Sequence, residues 1–182
     1  PLFLSFEPQP RPPKPRPIFH FPLCQPLCTG HSSGMSQHTT HLSWTRDEAP
    51  FTYKEFSRNH EVSFGHGHRL PCSAAAEYQG EAELPDPEQV FTASLASCHM
   101  LTFLAFCSLQ KLTVESYQDE AVGLLEKGEK GKPVLTRVEL HPQVTFADGV
   151  EVSAEKLAEL HHKAHEECFL ANSVKTEIVT IL

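Results

Sequence analysis

Twenty consecutive residues, Val90 to Leu109, contain no Asp, Glu, Lys or Arg. The run follows Asp86-Pro87-Glu88-Gln89, which reads as a helix start. Asp suits the N-cap, Pro the first helical position, and an acid the first turn. The sequence therefore predicts a helix from Pro87 to about Leu112. Its length would suffice to cross a bilayer. Yet Thr92, Ser94, Ser97, His99, Thr102 and Ser108 interrupt the apolar character, and no basic flank precedes it. A helix apolar on all sides must instead be covered on most of them, by sheet or by a second chain.

The remaining pattern supplies that cover. A first strand is expected at 41–44, then two more in YKEFSRNHEVSF (53–64) and RLPCSA (69–74), joined by a turn at Gly65 to His68. A loop follows from Gln79 to Asp86. After the helix, strand patterns cover roughly 114–126 and 134–146 around a KGEKGKP turn. Ser153 caps a second helix whose inner side carries Leu157, Leu160, His161, Ala164 and Cys168. Lys175 to Leu182 closes the chain as a β-branched strand. Strands, helix, strands, helix, strand is an α+β order, not alternating βαβ.

Residues 1–34 are of another kind. They hold nine of the 15 prolines, with RPPKPRP at their centre. Proline removes backbone donors and fixes φ, so a disordered leader or extension is expected, followed by one domain over 35–182. Met35 is the expected natural start. The tail contains no apolar run that suits a secretory signal. Beyond it the chain has 12 basic and 22 acidic residues. Nucleic acid needs a basic face, and anionic membranes attract one, so neither is an expected partner. Six cysteines without a signal peptide point to a reducing compartment, the cytoplasm.

Two of those cysteines have contrasting settings. Cys98 lies inside the uncharged helix; Cys168 ends the charged, His-rich one. They could form a peroxide-reducing pair or be two core residues. Cys107 is nine residues from Cys98, about 900° of helix, so those two face opposite ways; Cys107 reads as core. An apolar helix interior disfavours a thiolate, so a reactive thiol there needs a cation nearby. Arg58, Arg69 and His99 are the candidates. An arginine is preferred, because guanidinium stays charged and offers a donor fork.

The Pro87-Glu88-Gln89 segment with Cys98, and the AHEEC segment with Cys168, resemble the OsmC/Ohr family of organic hydroperoxide resistance and osmotically inducible proteins. ASCHMLTFLA is most similar to the OsmC-like subgroup. The resemblance covers about 41–182. It implies antiparallel sheets wrapped around a long central buried helix, in an intertwined homodimer. It also implies thiol-dependent reduction of organic hydroperoxides without a cofactor. By the same resemblance Cys98 is the peroxidatic cysteine and Cys168 the resolving one. Arg58 then holds the thiolate, and Glu88 orients that arginine. An external dithiol, such as a lipoyl protein, would be the reductant. The peroxidase subgroups usually place proline after the second cysteine, where this chain has Phe169.

Glu88 and Cys98 stand ten residues apart, about 15 Å along one helix. A single arginine cannot easily reach both. Part of the network is therefore expected from a second subunit. Phe91, Leu95, Met100, Leu101 and Phe103 are expected to line an apolar entrance for alkyl or lipid peroxides. Two other readings remain open. His161, His165 and Cys168 share one helix face at i, i+4 and i+7, a spacing that can converge on a metal, with His66 and His68 to complete it. The apolar pocket could equally serve a catalytically silent carrier.

Overall fold

The computed structural model describes residues 36–182. The Pro-rich stretch 1–34, with Cys24 and Cys28, lies outside the described residues. The folded unit, His38–Leu182, is α+β as expected. Three short strands open it: β1 (His41–Ser43), β2 (His60–Ser63) and β3 (Arg69–Cys72). Helix α1 (Pro87–Leu109) follows, then β4 (Val114–Asp119), β5 (Val122–Lys127), β6 (Pro133–Leu140) and β7 (Pro142–Phe146). Helix α2 (Ala154–Glu167) and β8 (Glu177–Thr180) complete the unit.

Both helices start where their caps dictate. The Asp86 carboxylate accepts from the Gln89 amide at 2.7 Å, and the Gln89 side chain accepts from the Asp86 amide at 3.1 Å. This reciprocal box satisfies donors that the first turn leaves unpaired. Ser153 does the same for α2 through the Lys156 amide, at 3.2 Å.

The first sheet is an antiparallel meander, β1-β2-β3. Its middle strand is shorter than the sequence suggests. Residues 52–56 form a turn instead, in which the Thr52 carbonyl accepts from the Glu55 and Phe56 amides. The β2–β3 connection holds His66 and Gly67 at positive φ (63° and 81°).

The two long strands expected after α1 each break in two. β4 pairs with β7 and β5 with β6, so the hairpin passes from one sheet into another. The corner is pinned by side chain and backbone together. The Asp119 carboxylate accepts from the His141 amide at 2.7 Å, and the Glu120 carbonyl meets His141 Nδ1 at 3.0 Å. These bonds take backbone groups out of the ladder at the point where both strands turn. β8 adds to β6 in parallel, with Val138 opposite Ile178. The sheets are thus not all antiparallel: α2 carries the chain back so that β8 runs in the direction of β6.

The core forms along one stripe of α1: Thr92, Leu95, His99, Phe103 and Cys107. These positions recur every three or four residues, the period of one helix face. Phe103 and Cys107 pack with Leu160 and Ala164 of α2; Leu95 packs with Val138 and Leu140 of β6. Cys107 is core, as expected. The expectation that α1 is covered on most sides is corrected for the single chain. Ser94, Ser97, Leu101, Ala105 and Ser108 face outward, and Leu101 is 60% exposed. α1 is long and apolar enough to cross a membrane by length and composition. Here its inner stripe joins the sheets to α2.

Candidate functional site

The fold brings Cys98 and Cys168 together across 70 residues of sequence. Cys98 sits mid-way along α1 at the border of the buried stripe, half-buried. Cys168 is the C-cap residue of α2 and is 1% exposed. Its backbone is extended there (φ −71°, ψ 116°), so the chain leaves the helix at this thiol. Both thiols are free. Burial pushes the Cys168 thiol up from its ordinary value, and the adjoining Cys98 thiol adds to that. Backbone amides of Ala171 and Leu170 act in the opposite direction. Cys168 is therefore a protonated, enclosed thiol, and Cys98 is the member of the pair that a solute can reach.

The segment after Cys168 is held by the Asn172 side chain, which donates to the Glu166 and Cys168 carbonyls at 2.8 and 3.1 Å. Phe169, where the peroxidase subgroups usually carry proline, is 82% exposed. It makes no demand on the core, so the cap closes without a rigid ring.

Arg58 and Glu88 do not join this pair within one chain. The Arg58 guanidinium donates to the carbonyls of Tyr53 and Phe56 and to Gln79 Oε1, the last at 3.0 Å. It lies over the Phe56 ring, 3.7 Å from the centroid. It lines an apolar groove of about 480 Å³ with Leu42, Trp44, Phe51 and Pro87. Glu88 lines a separate cavity of about 710 Å³, with Tyr78, Ala93, Ser97, Met100 and Tyr117. Cys98 lines neither. Five residues separate it from Ala93, so it points about 140° around the helix from the larger cavity. The larger of these two cavities is thus not the thiol site. The expected apolar entrance also needs correction: Leu95 and Phe103 are fully buried, and Met100 faces the larger cavity.

The metal set is not assembled. His161 turns inward to His99, and Cys168 turns to Cys98. Among the described residues no group of three or more His, Cys, Asp and Glu converges on one point. His66 belongs to the β2–β3 turn and His68 follows it, both outside α2.

One feature of the site is missed by motif reading. His99 Nε2 and His161 Nδ1 meet at 3.0 Å between α1 and α2. The rings are parallel to within 2°, and Phe103 stacks on His161 with centroids 4.2 Å apart. Desolvation lowers both imidazoles to about 4; for His99 the neighbouring His161 and His165 add to the effect. The signal in the sequence was His161 itself, a polar residue among the core positions Leu157, Leu160 and Ala164. A buried polar group demands a partner.

Known proteins agree with this picture of the fold. The family model described as OsmC-like protein matches residues 80–182. Among solved structures, the chain is similar to an OsmC-like protein of unknown function from Vibrio cholerae. The two are 42% identical, with a TM-score of 0.77 over 81% of this chain and 99% of that one. It also resembles an organic hydroperoxide resistance protein OsmC from Legionella pneumophila, at 25% identity and TM-score 0.57, covering 80% and 96% of the two chains. The organic hydroperoxide resistance protein OhrB of Bacillus subtilis shares the fold at 18% identity and TM-score 0.54, over 79% of this chain and 98% of that one. No curated protein matches the chain. With more than half of its length matched by the family model, and that 42% identical relative, the chain belongs to the OsmC-like family.

Proposed function

We propose that this protein reduces organic hydroperoxides to alcohols through a two-thiol cycle. The observation that carries the reading is the meeting of Cys98 and Cys168, one reachable and one enclosed, at the junction of α1 and α2. Relatives named as organic hydroperoxide resistance proteins support the substrate class. The Cys98 thiolate attacks one peroxide oxygen and the O–O bond breaks. Sulfur gives up two electrons and becomes a sulfenic acid; the departing alkoxide takes a proton and leaves as the alcohol. The Cys168 thiol then condenses with the sulfenic acid. A disulfide forms, and the Cys168 proton leaves with the hydroxyl as water. An external dithiol, a lipoyl group among the candidates, restores both thiols by exchange and is itself oxidised to a disulfide.

Arg58 is proposed to stabilise the thiolate and Glu88 to orient Arg58, with the two supplied across a homodimer. Two features support the dimer. Arg58 bonds Tyr53, Phe56 and Gln79 rather than Cys98, and apolar residues are exposed on the open face of α1 and in the segment between β1 and β2. Leu101, Phe51 and Tyr53 are 60%, 66% and 70% exposed. The cycle requires a reducing compartment, and the cytoplasm is the proposed location.

Peptide mass analysis after one equivalent of cumene hydroperoxide tests the cycle. The expected product is a Cys98–Cys168 disulfide and one equivalent of cumyl alcohol. Cys168→Ser should react once and stall as a sulfenic or sulfinic acid at Cys98. Unchanged thiols in the parent protein would overturn the reading.

A further inference from the structure

We propose that His99 and His161 are positioning residues for the thiol pair: their hydrogen bond sets the rotation of α2 that delivers Cys168 to Cys98. This rests on reading the two cysteines as a redox pair. His99 directly follows Cys98 on α1. His161 precedes Cys168 by seven residues, 20° short of two full turns of α2. Whatever fixes the direction of His161 therefore fixes that of Cys168.

The bridge is well suited to that task. It is a directional bond between two buried rings, apart from the contact of the two thiols themselves. Phe103 with Leu160 and Ala164 is apolar packing, which tolerates sliding and rotation more readily than a directional bond. Phe103 stacked on one side of His161 and Tyr117 tilted at 6.3 Å restrict the ring further. The bridge also does something other than maximise stability. His99 Nδ1 and His161 Nε2 are buried without a protein partner. An apolar pair of similar volume would avoid that cost, so the directional bond is the property gained.

Cys168 is held firmly by its own segment: its carbonyl accepts from the Asn172 amide at 3.0 Å and from the Asn172 side chain at 3.1 Å. Those bonds lie within α2 and the turn after it, so they fix the thiol on α2 and leave its direction toward α1 to the contacts between the helices. With α2 free to rotate, the thiol would sweep away from Cys98 and the encounter between the two sulfurs would become rarer.

The test reads proximity directly and needs no peroxide. The full chain is equilibrated in glutathione buffers of defined ratio. Cys98 and Cys168 are oxidised to a disulfide as one glutathione disulfide becomes two glutathiones. The equilibrium constant gives the effective concentration of one thiol at the other. The His99→Leu/His161→Leu double variant, which refills the site with apolar side chains, should lower that concentration about tenfold, the effect of one net hydrogen bond. His161→Asn keeps a polar atom near the Nδ1 position and should stay within about threefold of the parent. Thermal melts run in parallel show that each variant is folded. An unchanged effective concentration in a folded double-leucine variant would overturn the proposal, and so would a tenfold loss in His161→Asn. Should the parent prove inactive toward peroxide, the peroxidase reading fails while this equilibrium still decides the role of the histidines.

Discussion

The two faces of α1 differ in kind. The inner face is finished within one chain: Phe103, Cys107 and Leu95 are buried, His99 is bridged, and Cys98 meets Cys168 at the edge. The outer face carries side chains of similar apolar character, yet Leu101 and Leu109 are 60% and 78% exposed. The first sheet shows the same incompleteness in the groove beside Arg58. One chain thus brings the two thiols together but leaves Arg58 away from them. On the proposed cycle, resolving chemistry would be local to a subunit, while thiol activation would call on a second one.

Two substitutions on the same helix test the contrast in stability. Phe103→Ala should destabilise by about 4 kcal/mol, because it removes a fully buried ring that stacks on His161. Leu101→Ala should change chain stability by no more than about 0.5 kcal/mol. Its effect should appear instead as a concentration-dependent melting temperature, since loss of a subunit contact is a mass-action effect. Equal, concentration-independent losses in urea unfolding would erase the distinction between the faces.

Next in size is the contribution of Arg58. Arg58→Ala should reduce the rate of sulfenic acid formation about a hundredfold, the typical cost of removing one preorganised donor. Mixing Arg58→Ala chains with Cys98→Ser chains makes the comparison sharper. A mixed dimer unites Cys98 of the first with Arg58 of the second, so activity should return although Arg58→Ala alone is about a hundredfold slow and Cys98→Ser alone is inactive. No recovery after subunit exchange would mean that arginine and thiol act within one chain.

How far the sequence carried can be judged residue by residue. Asp86, Pro87 and Gln89 announced the start of α1, and Ser153 that of α2, because capping is local chemistry. The pairing of Cys98 with Cys168 was carried by resemblance, and the crossing of the two helices is what brings them close. The corner at Asp119 and His141 was passed over although Asp119-Glu120-Ala121 and Pro142 are weak strand formers, because the turn itself is made by a bond between residues 22 apart. The His99–His161 bridge was hidden for a related reason. Each histidine was read for what it could do alone, as a cation or a metal ligand, whereas a buried polar side chain is explained by its partner on another element. The openness of α1 could not be read either, because a helix apolar all round looks the same whether sheet or subunit covers it.

The last expected effect, on the pH dependence of stability, isolates the inner face. His99 and His161 are lowered to about 4 in the folded chain, chiefly by burial, from an ordinary value of 6.5. Between those limits the unfolded chain binds the protons and the folded chain does not. Stability from this pair is therefore fully present above pH 6.5 and is lost as pH falls toward 4, by up to about 1.4 kcal/mol per pH unit for each histidine that titrates. Asp119 opposes the trend at the acid end, because burial raises its carboxyl and favours its protonation in the folded state. Glu155 and Glu159 are lowered, by hydrogen bonds and, for Glu159, by lysine neighbours too, and contribute only below 4.5. Urea unfolding at pH 7, 6 and 5 should show the slope in the parent. The His99→Gln/His161→Asn variant, which keeps polar side chains that do not titrate, should be nearly flat over the same range. An identical slope in that variant would place the acid sensitivity elsewhere and leave the inner face without its distinguishing titration.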